Sequence, residues 1–255
     1  MDVPAYNRLA WDREVESGNP WTHPVSLEEI QQARQGYWQI LLTPATPVPK
    51  AWLGDVRGRD ILCLASGGGQ QGPILAAAGA NVTVLDNSPK QLEQDELVAK
   101  RDGLTLRLEL GQMDNLSLFP NGHFDLVVHP VSNLFVADIR PVWREAYRVL
   151  RQGGALLSGF CNPAQYMFGC QEVGDDNSIA LRYSLPYSDL ASLSPEELDS
   201  CLRKGQPLEF SHSLDEQIGG QIEAGFKIAG FYEDRWPDHP LDKYFPTFMA
   251  TYSVK

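Results

Sequence analysis

Short apolar runs alternate with amphipathic helical segments through the middle of the chain. Five of these runs predict strands: 61–64, 82–85, 104–110, 124–128 and 155–160. The fourth run ends at the pair His129-Pro130. Helical periodicity and helix-start signals predict the helices that connect them: 74–78, 88–100 and 138–150. This strand–helix rhythm predicts an α/β fold with a doubly wound, mostly parallel sheet.

The two ends of the chain follow other patterns. Residues 1–53 predict a helical N-terminal cap, with one helix near 6–15 and a second from the capping box of Ser26 to about Ile40. Residues 54–255 form the predicted sheet domain. Within it, 161–212 break the rhythm and predict an insertion over the active-site edge, with a short helix after Ser194.

The last part of the chain predicts one helix and two strands. The helix at 213–225 carries Leu214, Ile218 and Ile222 on one apolar face and ends at Gly225. The strands near 228–233 and 248–253 are joined by a linker without helical period. Neighbouring strands without a crossover helix are most simply antiparallel, so the sheet should end with an antiparallel strand.

A glycine-rich turn follows the first predicted strand. It comprises residues 65–69, which we call the glycine turn, and contains Gly67, Gly68 and Gly69. Glycine reaches backbone angles that other residues avoid and lets a ligand approach the main chain. Asp86, nineteen residues after Gly67, ends the second strand, where a carboxylate can bind ribose hydroxyls. The pattern predicts nucleotide or nucleoside binding; the alternative is a tight strand-to-helix connection without a ligand.

Charge and composition limit the classes of partner that we expect this protein to bind. The net charge is −12 and the chain has no run of Lys or Arg, which argues against a nucleic-acid or anionic membrane surface. The polar N-terminus does not resemble a secretory signal, and no stretch approaches the roughly 20 apolar residues of a membrane helix. Four scattered cysteines predict free thiols and no metal site: Cys63, Cys161, Cys170 and Cys201. We therefore expect a cytoplasmic protein with a small-molecule partner; the sequence does not predict its oligomeric state.

Five motifs, in order, resemble those of the class I S-adenosylmethionine-dependent methyltransferases, over roughly residues 54–255. The motifs are ILCLASGGG at 61–69, Asp86, Gly111-Gln112-Met113, FDLV at 124–127 and WREAYRVLRQGG at 143–154. The last two are common in the branch that methylates small molecules. The chain is also similar to an uncharacterised bacterial subfamily with LASGGGQQGP, DNSPKQLEQD and HPVSN motifs.

The resemblance implies a Rossmann-like fold, an antiparallel end to the sheet, and S-adenosylmethionine as cofactor. It implies these cofactor-binding residues: Ala65, Ser66, Gly67, Gly68, Gly69, Asp86, Asn87, Gln112, Met113 and His129. Three positions depart from the family pattern, since Cys63 and Gln112 replace acids and Ala65 replaces the first glycine of the turn. The turn is therefore expected to bind chiefly through its backbone at 66–69, with Asp86 on the ribose.

The resemblance puts the acceptor site after the fourth strand, where His129 and Asn133 lie. His129 is the candidate base, because its ordinary pKa of about 6.5 suits proton transfer at neutral pH; the alternative is a structural bond to a loop carbonyl. Asn133 could orient the acceptor or be a turn residue. Candidates for the substrate pocket or lid are Tyr6, Trp11, Trp21, His23 and His212.

The predicted function is methyl transfer from S-adenosylmethionine to a small acceptor at O, N, S or C. Two alternatives remain open. One is a regulatory or scaffold protein that binds the cofactor without methyl transfer, which the departures at Cys63 and Gln112 would allow. The other is a nicotinamide-dependent oxidoreductase, since residues 67–72 also satisfy the pattern G-x-G-x-x-G.

Overall fold

The computed structural model describes residues 1–168, 180–237 and 239–255. Within them, the centre of the protein is a seven-stranded sheet with the strand order β3-β2-β1-β4-β5-β7-β6. The strands are Asp60–Leu64 (β1), Asn81–Asp86 (β2), Leu106–Leu110 (β3), Phe124–His129 (β4), Leu150–Cys161 (β5), Lys227–Asp234 (β6) and Phe248–Val254 (β7).

The strand directions confirm the predicted doubly wound, mostly parallel, Rossmann-like α/β sheet with an antiparallel last strand. Strands β1 to β5 pair in parallel, and β7 is antiparallel to both of its neighbours, β5 and β6. The strand order reverses between β1 and β4, and ligands of such sheets lie at the carboxyl ends of the strands near this point. The functional edge is therefore the one formed by the ends of β1, β2, β4 and β5.

Helices lie on both faces of the sheet and over this edge. The α-helices of the described residues are Val3–Ser17 (α1), Leu27–Arg34 (α2), Lys50–Leu53 (α3), Gln71–Ala77 (α4), Pro89–Asp102 (α5), Arg140–Val149 (α6), Asp189–Ser192 (α7), Pro195–Lys204 (α8) and Gly220–Ala224 (α9). The predicted N-caps Ser26, Ser88 and Ser194 are in place, each accepting a backbone N–H of the first turn.

The helix predicted from Ser26 to about Ile40 is shorter than expected. It ends at Arg34, because Gly36 takes a left-handed φ of +88° and the Tyr37 N–H turns back to the Gln32 carbonyl at 3.0 Å. The chain then crosses the sheet, and the Val131 N–H binds the Leu42 carbonyl at 2.9 Å. The segment after α2 thus reaches the loop after β4.

The pair Gly153-Gly154 is a helix-stop signal and would by sequence end the helix before β5, but it does not. Helix α6 ends at Val149, and both glycines lie within β5. The pairing of β5 with β4 shifts register between Phe124 and Leu126, and Gly153 has a φ of +74° there. Glycine is used because an irregular strand pair needs a backbone angle that other residues avoid.

Two apolar layers form the core, one on each face of the sheet. One face buries Leu75, Val84 and Val128 together with Leu42 and Leu53 of the cap. The other face buries the side chains under α6, with Trp143 the largest of them. No helix in the described part of the chain is both long and apolar enough to cross a membrane. Cys63, Cys161 and Cys201 carry free thiols; Cys170 lies outside the described residues.

The helix predicted over 213–225 turns a different face to the core. Its first part, Asp215–Gly219, is a π-helical turn that precedes α9. Leu214 and Ile222 are exposed, by 44% and 56%, while Gln217 and Gln221 are buried. A π-helical turn accommodates an extra residue and so rotates the next helical residues about the axis. It therefore buries two amides: Gln221 accepts hydrogen bonds from Thr251 and Ser253 of β7, and Gln217 pairs with Asn133 after β4.

Candidate active site

The functional edge brings together the glycine turn after β1, Asp86 at the end of β2 and the loop after β4. The Gly111 N–H binds the Asp86 carbonyl at 2.9 Å, so Gln112 and Met113 follow β3 close to Asp86. Gln112 is exposed, and Met113 packs partly buried against the core. Sequence motifs that are far apart in the chain therefore meet at one edge.

The three glycines of the turn are enclosed by helix α5 on one side and residues 21–25 on the other. A Cβ on Gly67 would lie 2.7 Å from the Gln91 Cβ, and one on Gly69 would lie 2.8 Å from the Pro24 Cβ. Gly68 has a φ of +108°, which disfavours any other residue. Packing inside the protein therefore already requires these glycines.

The N–H groups of Gly67 and Gly68 donate hydrogen bonds to side chains of the protein. Gly67 donates to the Asp86 Oδ2 at 2.9 Å, and Gly68 to the Asp95 Oδ2 at 3.1 Å. The Gly69 N–H interacts with the Asp95 carboxyl group as well. With the N–H groups of Gly67 and Gly68 engaged, the carbonyl oxygens of the turn are its candidate groups for an ammonium ion such as that of a methionine moiety.

Asp86 is held by two backbone N–H groups, one on each carboxylate oxygen. Gly67 donates to Oδ2 and Ser88 to Oδ1, both at 2.9 Å. Burial raises the pKa of Asp86, and these hydrogen bonds oppose the rise. An ionised carboxylate accepts about four hydrogen bonds, so capacity remains for the hydroxyls of a ribose. Asn87 is engaged elsewhere: its Nδ2 donates to the Pro4 carbonyl at 2.8 Å.

Ala65 holds a backbone angle that glycine would adopt without strain. Its φ is +47°, at the position where the family pattern has a glycine. A left-handed angle costs a residue with a Cβ about 1–2 kcal/mol, and glycine loses about 0.4–1 kcal/mol more in backbone entropy on folding. The difference between the two effects is small and favours glycine.

We expect Ala65→Gly to raise the free energy of unfolding by up to about 1 kcal/mol. Chemical denaturation would measure it. Ala78→Gly is the matched control, because Ala78 follows α4 with a right-handed φ of −74° and should lose about 0.5–1 kcal/mol. Equal losses at both positions would contradict the strain argument.

Helix α1 covers the edge and is tied to both sides of it. Asn7, 3% exposed, donates to the carbonyls of Phe135 and Leu208 at 3.0 Å and accepts the Leu208 N–H at 2.8 Å. Of the predicted lid residues, Trp11 packs edge-to-face on Phe135 with ring centroids 5.1 Å apart, and the Tyr6 hydroxyl donates to the Gln206 carbonyl at 3.0 Å. Both therefore join the cap to the segment after β4 and to 206–208.

Trp21 and His23 lie at the glycine turn instead. The Gln70 side chain donates to the carbonyls of both residues, at 3.2 and 3.1 Å. The Trp21 ring is 44% exposed and packs on Trp236, 5.9 Å between ring centroids. The His23 ring is exposed and bonds to the Gly18 carbonyl of its own segment.

The predicted polar residues after β4 are buried. His129 is 0% exposed and its Nδ1 donates to the Leu64 carbonyl at 2.9 Å. Burial lowers the pKa of His129 to about 4. Asn133, also 0% exposed, donates to the Gln217 amide oxygen at 2.8 Å, and His212 bonds to the Asn133 carbonyl at 3.0 Å. The buried hydrogen bonds of these three side chains thus hold the loop after β4 in place.

A group of titratable side chains lies at the end of β5, and sequence reasoning missed it. We call it the acceptor-side cluster: Tyr166, Tyr187, Asp189 and Glu209. The Tyr166 hydroxyl donates to the Glu209 carboxylate at 2.9 Å, and Tyr187 to Asp189 at 2.6 Å. Burial and the charge of Asp189 raise the pKa of Glu209 to about 7. Such a carboxyl group can exchange a proton at neutral pH.

The cluster adjoins the loop after β4. Tyr166 and Tyr187 stack 5.3 Å apart and belong to one apolar group with Leu134, and the Phe210 N–H binds the Leu134 carbonyl at 2.8 Å. No sequence motif marks Glu209, which comes from the predicted insertion without periodic pattern. In the described residues, no group of three His, Cys, Asp or Glu side chains is arranged to hold a metal ion.

Comparisons with known proteins agree with this geometry. A family model described as a methyltransferase domain matches residues 62–158. An uncharacterized methyltransferase of Bacillus subtilis (strain 168), YbaJ, is 51% identical over 251 residues, which cover 98% of each chain. A demethylmenaquinone methyltransferase of Tropheryma whipplei is 31% identical over 52% of this chain and 53% of its own.

Solved structures share the fold. An S-adenosylmethionine-dependent methyltransferase from Mesorhizobium loti superposes with a TM-score of 0.62 at 20% identity, covering 81% of this chain and 95% of its own. A putative one from Listeria monocytogenes gives 0.64 at 17% identity, with the same two coverages. The chain belongs to the class I S-adenosylmethionine-dependent methyltransferases, enzymes that transfer a methyl group from this cofactor to an acceptor.

Proposed function

We propose that the acceptor is a small molecule, methylated between helix α1 and the acceptor-side cluster, over the ends of β4 and β5. The observation that carries this proposal is the clamp of Asn7, whose buried amide holds the loop after β4 and the segment before Glu209 together. A site covered in this way excludes water and limits the size of the acceptor. The net charge of −12 argues further against a nucleic-acid acceptor.

The cofactor-binding residues are proposed from the same geometry. S-adenosylmethionine supplies an electrophilic methyl group on its sulfonium when bound. Asp86 would accept the ribose hydroxyls, the carbonyls of the glycine turn would accept the ammonium group, and Gln112 would lie near the adenine. The carboxylate of Asp86 and the carbonyls of the turn are acceptors, and the cofactor presents donors at these positions, so the residues fit the group.

Glu209 is the proposed proton acceptor for an acceptor molecule that arrives protonated. Its pKa of about 7 matches this task at neutral pH. His129 is less suited, because its ring is fully buried and its pKa is about 4. We therefore assign His129, Asn133 and His212 to shaping the loop after β4, and Tyr6 and Trp11 to closing the site.

The test is a screen of small acceptors with isotopically labelled S-adenosylmethionine. The panel should contain amines, phenols, thiols and carboxylic acids, with RNA and protein substrates as separate arms. Turnover on a small molecule, with Asn7→Ala raising its KM, supports the proposal. Transfer to RNA or protein at a higher kcat/KM than to any small acceptor would contradict it.

A further inference from the structure

A fully buried carboxyl group lies under the glycine turn and has no part in the proposed methyl transfer. Asp95, 0% exposed, projects from α5 and accepts the Gly68 N–H on its Oδ2 at 3.1 Å. Its carboxyl group also interacts with the Gly69 N–H. The Gly68 N–H has the Gln91 carbonyl as a second acceptor at 3.0 Å, so residues of α5 hold this peptide group in the turn that we assign to the cofactor.

Asp95 lies close to the strand residue that departs from the family pattern. Cys63, in β1, is 0% exposed and stands where an acid is usual. Burial raises the pKa of the Cys63 thiol, and an ionised Asp95 would raise it further, so the thiol stays neutral at neutral pH in either case. The carboxyl group beneath the turn is thus present in this chain, but α5 supplies it instead of β1.

Two buried oxygen atoms next to the turn lack a hydrogen-bond partner among the described residues: the Asp95 Oδ1 and the Gln91 Oε1. The two residues are one helical turn apart, on the same buried face of α5. Both adjoin Gly68, because a Cβ there would lie 3.0 Å from the Gln91 Oε1. Buried polar atoms are nearly always paired. Two oxygens satisfy one another only when one of them carries a proton; the other arrangement that pairs them is a Gln91 amide turned so that its Nε2 donates to an ionised Asp95.

We propose that Asp95 is the positioning residue of the glycine turn, and that it works as a neutral carboxylic acid. Its Oδ2 accepts the Gly68 N–H, its carboxyl group also interacts with the Gly69 N–H, and its protonated Oδ1 donates to the Gln91 Oε1. A single proton then gives both unpaired oxygens a partner. The proposal rests on the assignment of this turn to S-adenosylmethionine.

The surroundings of Asp95 favour the neutral form. Burial raises the pKa of Asp95 to about 8, the bonds from the two glycines oppose the rise, and the charge of Asp86 adds to it. Among the described residues, the titratable groups facing Asp95 are Asp86, at the end of β2, and Cys63, within β1. Ionisation would therefore put a second negative charge beside the residue that we assign to the ribose.

The experiment compares Asp95→Asn with Asp95→Ala. The asparagine amide accepts through its oxygen and donates through its nitrogen, so it copies the neutral acid. Calorimetry with S-adenosylhomocysteine should give a Kd for Asp95→Asn within about threefold of wild type. Asp95→Ala should weaken binding about tenfold or more, because it removes the side chain that holds the Gly68 peptide group and leaves a cavity under the turn, although the Gly68 N–H keeps the Gln91 carbonyl as an acceptor. Glu96→Gln, the same change on the exposed face of α5, is the control.

A second measurement needs no ligand. Carboxyl ¹³C NMR of the cofactor-free protein should show Asp95 protonated at pH 7, and S-adenosylhomocysteine affinity should fall above about pH 8 in wild type only. Asp95→Asn binding as poorly as Asp95→Ala, or an ionised Asp95 at pH 7, would overturn the neutral acid. Unchanged binding by Asp95→Ala would overturn its positioning role. A failed acceptor screen leaves all of these results intact and counts only against the proposed acceptor.

Discussion

Replacing Glu209 with glutamine is expected to lower kcat/KM for a protonated acceptor by about 100- to 10,000-fold, the contribution that a positioned general base makes. Glutamine keeps the size of the side chain and can still accept the Tyr166 hydroxyl, but it cannot take a proton. The base must be ionised to act, so the wild-type rate should rise with pH up to about 7 and then level off. The variant should lose this rise.

The comparison needs a carboxylate that lies outside the site. Glu196→Gln makes the same change at an exposed position of α8 and should leave both the rate and its pH dependence unaltered. The Kd for S-adenosylhomocysteine should be unchanged in both variants, because Glu209 is assigned to the acceptor. A Glu209→Gln enzyme that keeps the wild-type pH profile would exclude this residue as the base.

The stability of the protein should also depend on Asp95. A carboxyl group whose pKa is higher in the folded state binds more protons there than in the unfolded chain. Its contribution is full below its ordinary pKa of about 4 and is lost as the pH rises to about 8. The melting temperature of the wild type should therefore fall relative to Asp95→Asn across this interval. Thermal unfolding of the two proteins from pH 4 to pH 9 would measure it.

The fold was predictable because its signals are local. A buried strand, a glycine turn and an acid at the next strand end identify the βαβ unit around Asp86, and the missing crossover helix before β7 indicates the antiparallel end of the sheet. Family membership then decides against a nicotinamide-dependent oxidoreductase and against a protein without methyl transfer. These conclusions need no knowledge of how side chains meet across the fold.

The site was less predictable because its contacts join distant segments. Glu209 owes its raised pKa first to burial and then to the charge of Asp189, neither of which a short window of sequence contains. The prediction for the face of 213–225 was wrong, because a π-helical turn changes the period on which it depended. Asp95 did leave a signal: it lies three residues from both Leu92 and Val98, so an acid occupies the apolar face of α5.

Asp86 is the residue whose loss should weaken cofactor binding most. Two hydrogen bonds from ribose hydroxyls to a charged group contribute about 1.5–3 kcal/mol each, so Asp86→Ala should raise the Kd for S-adenosylhomocysteine by about 100- to 10,000-fold. The same carboxylate holds the N–H groups of Gly67 and Ser88. Some of the loss would therefore come from a disturbed turn, and calorimetry on this variant alone does not separate the two causes.

A modified ligand separates the loss of the ribose hydrogen bonds from the disturbance of the turn. Asp86→Asn keeps an oxygen for one of the backbone N–H groups, and its Kd can be compared for S-adenosylhomocysteine and its 2′-deoxy analogue. If Asp86 binds the ribose, wild type should prefer the hydroxylated ligand strongly and the variant should lose most of that preference, a coupling that a double-mutant cycle isolates. Asp138→Asn, an exposed position after β4, should keep the full preference. Equal preference in wild type and Asp86→Asn would mean that Asp86 acts only on the turn, because damage to the backbone weakens both ligands alike.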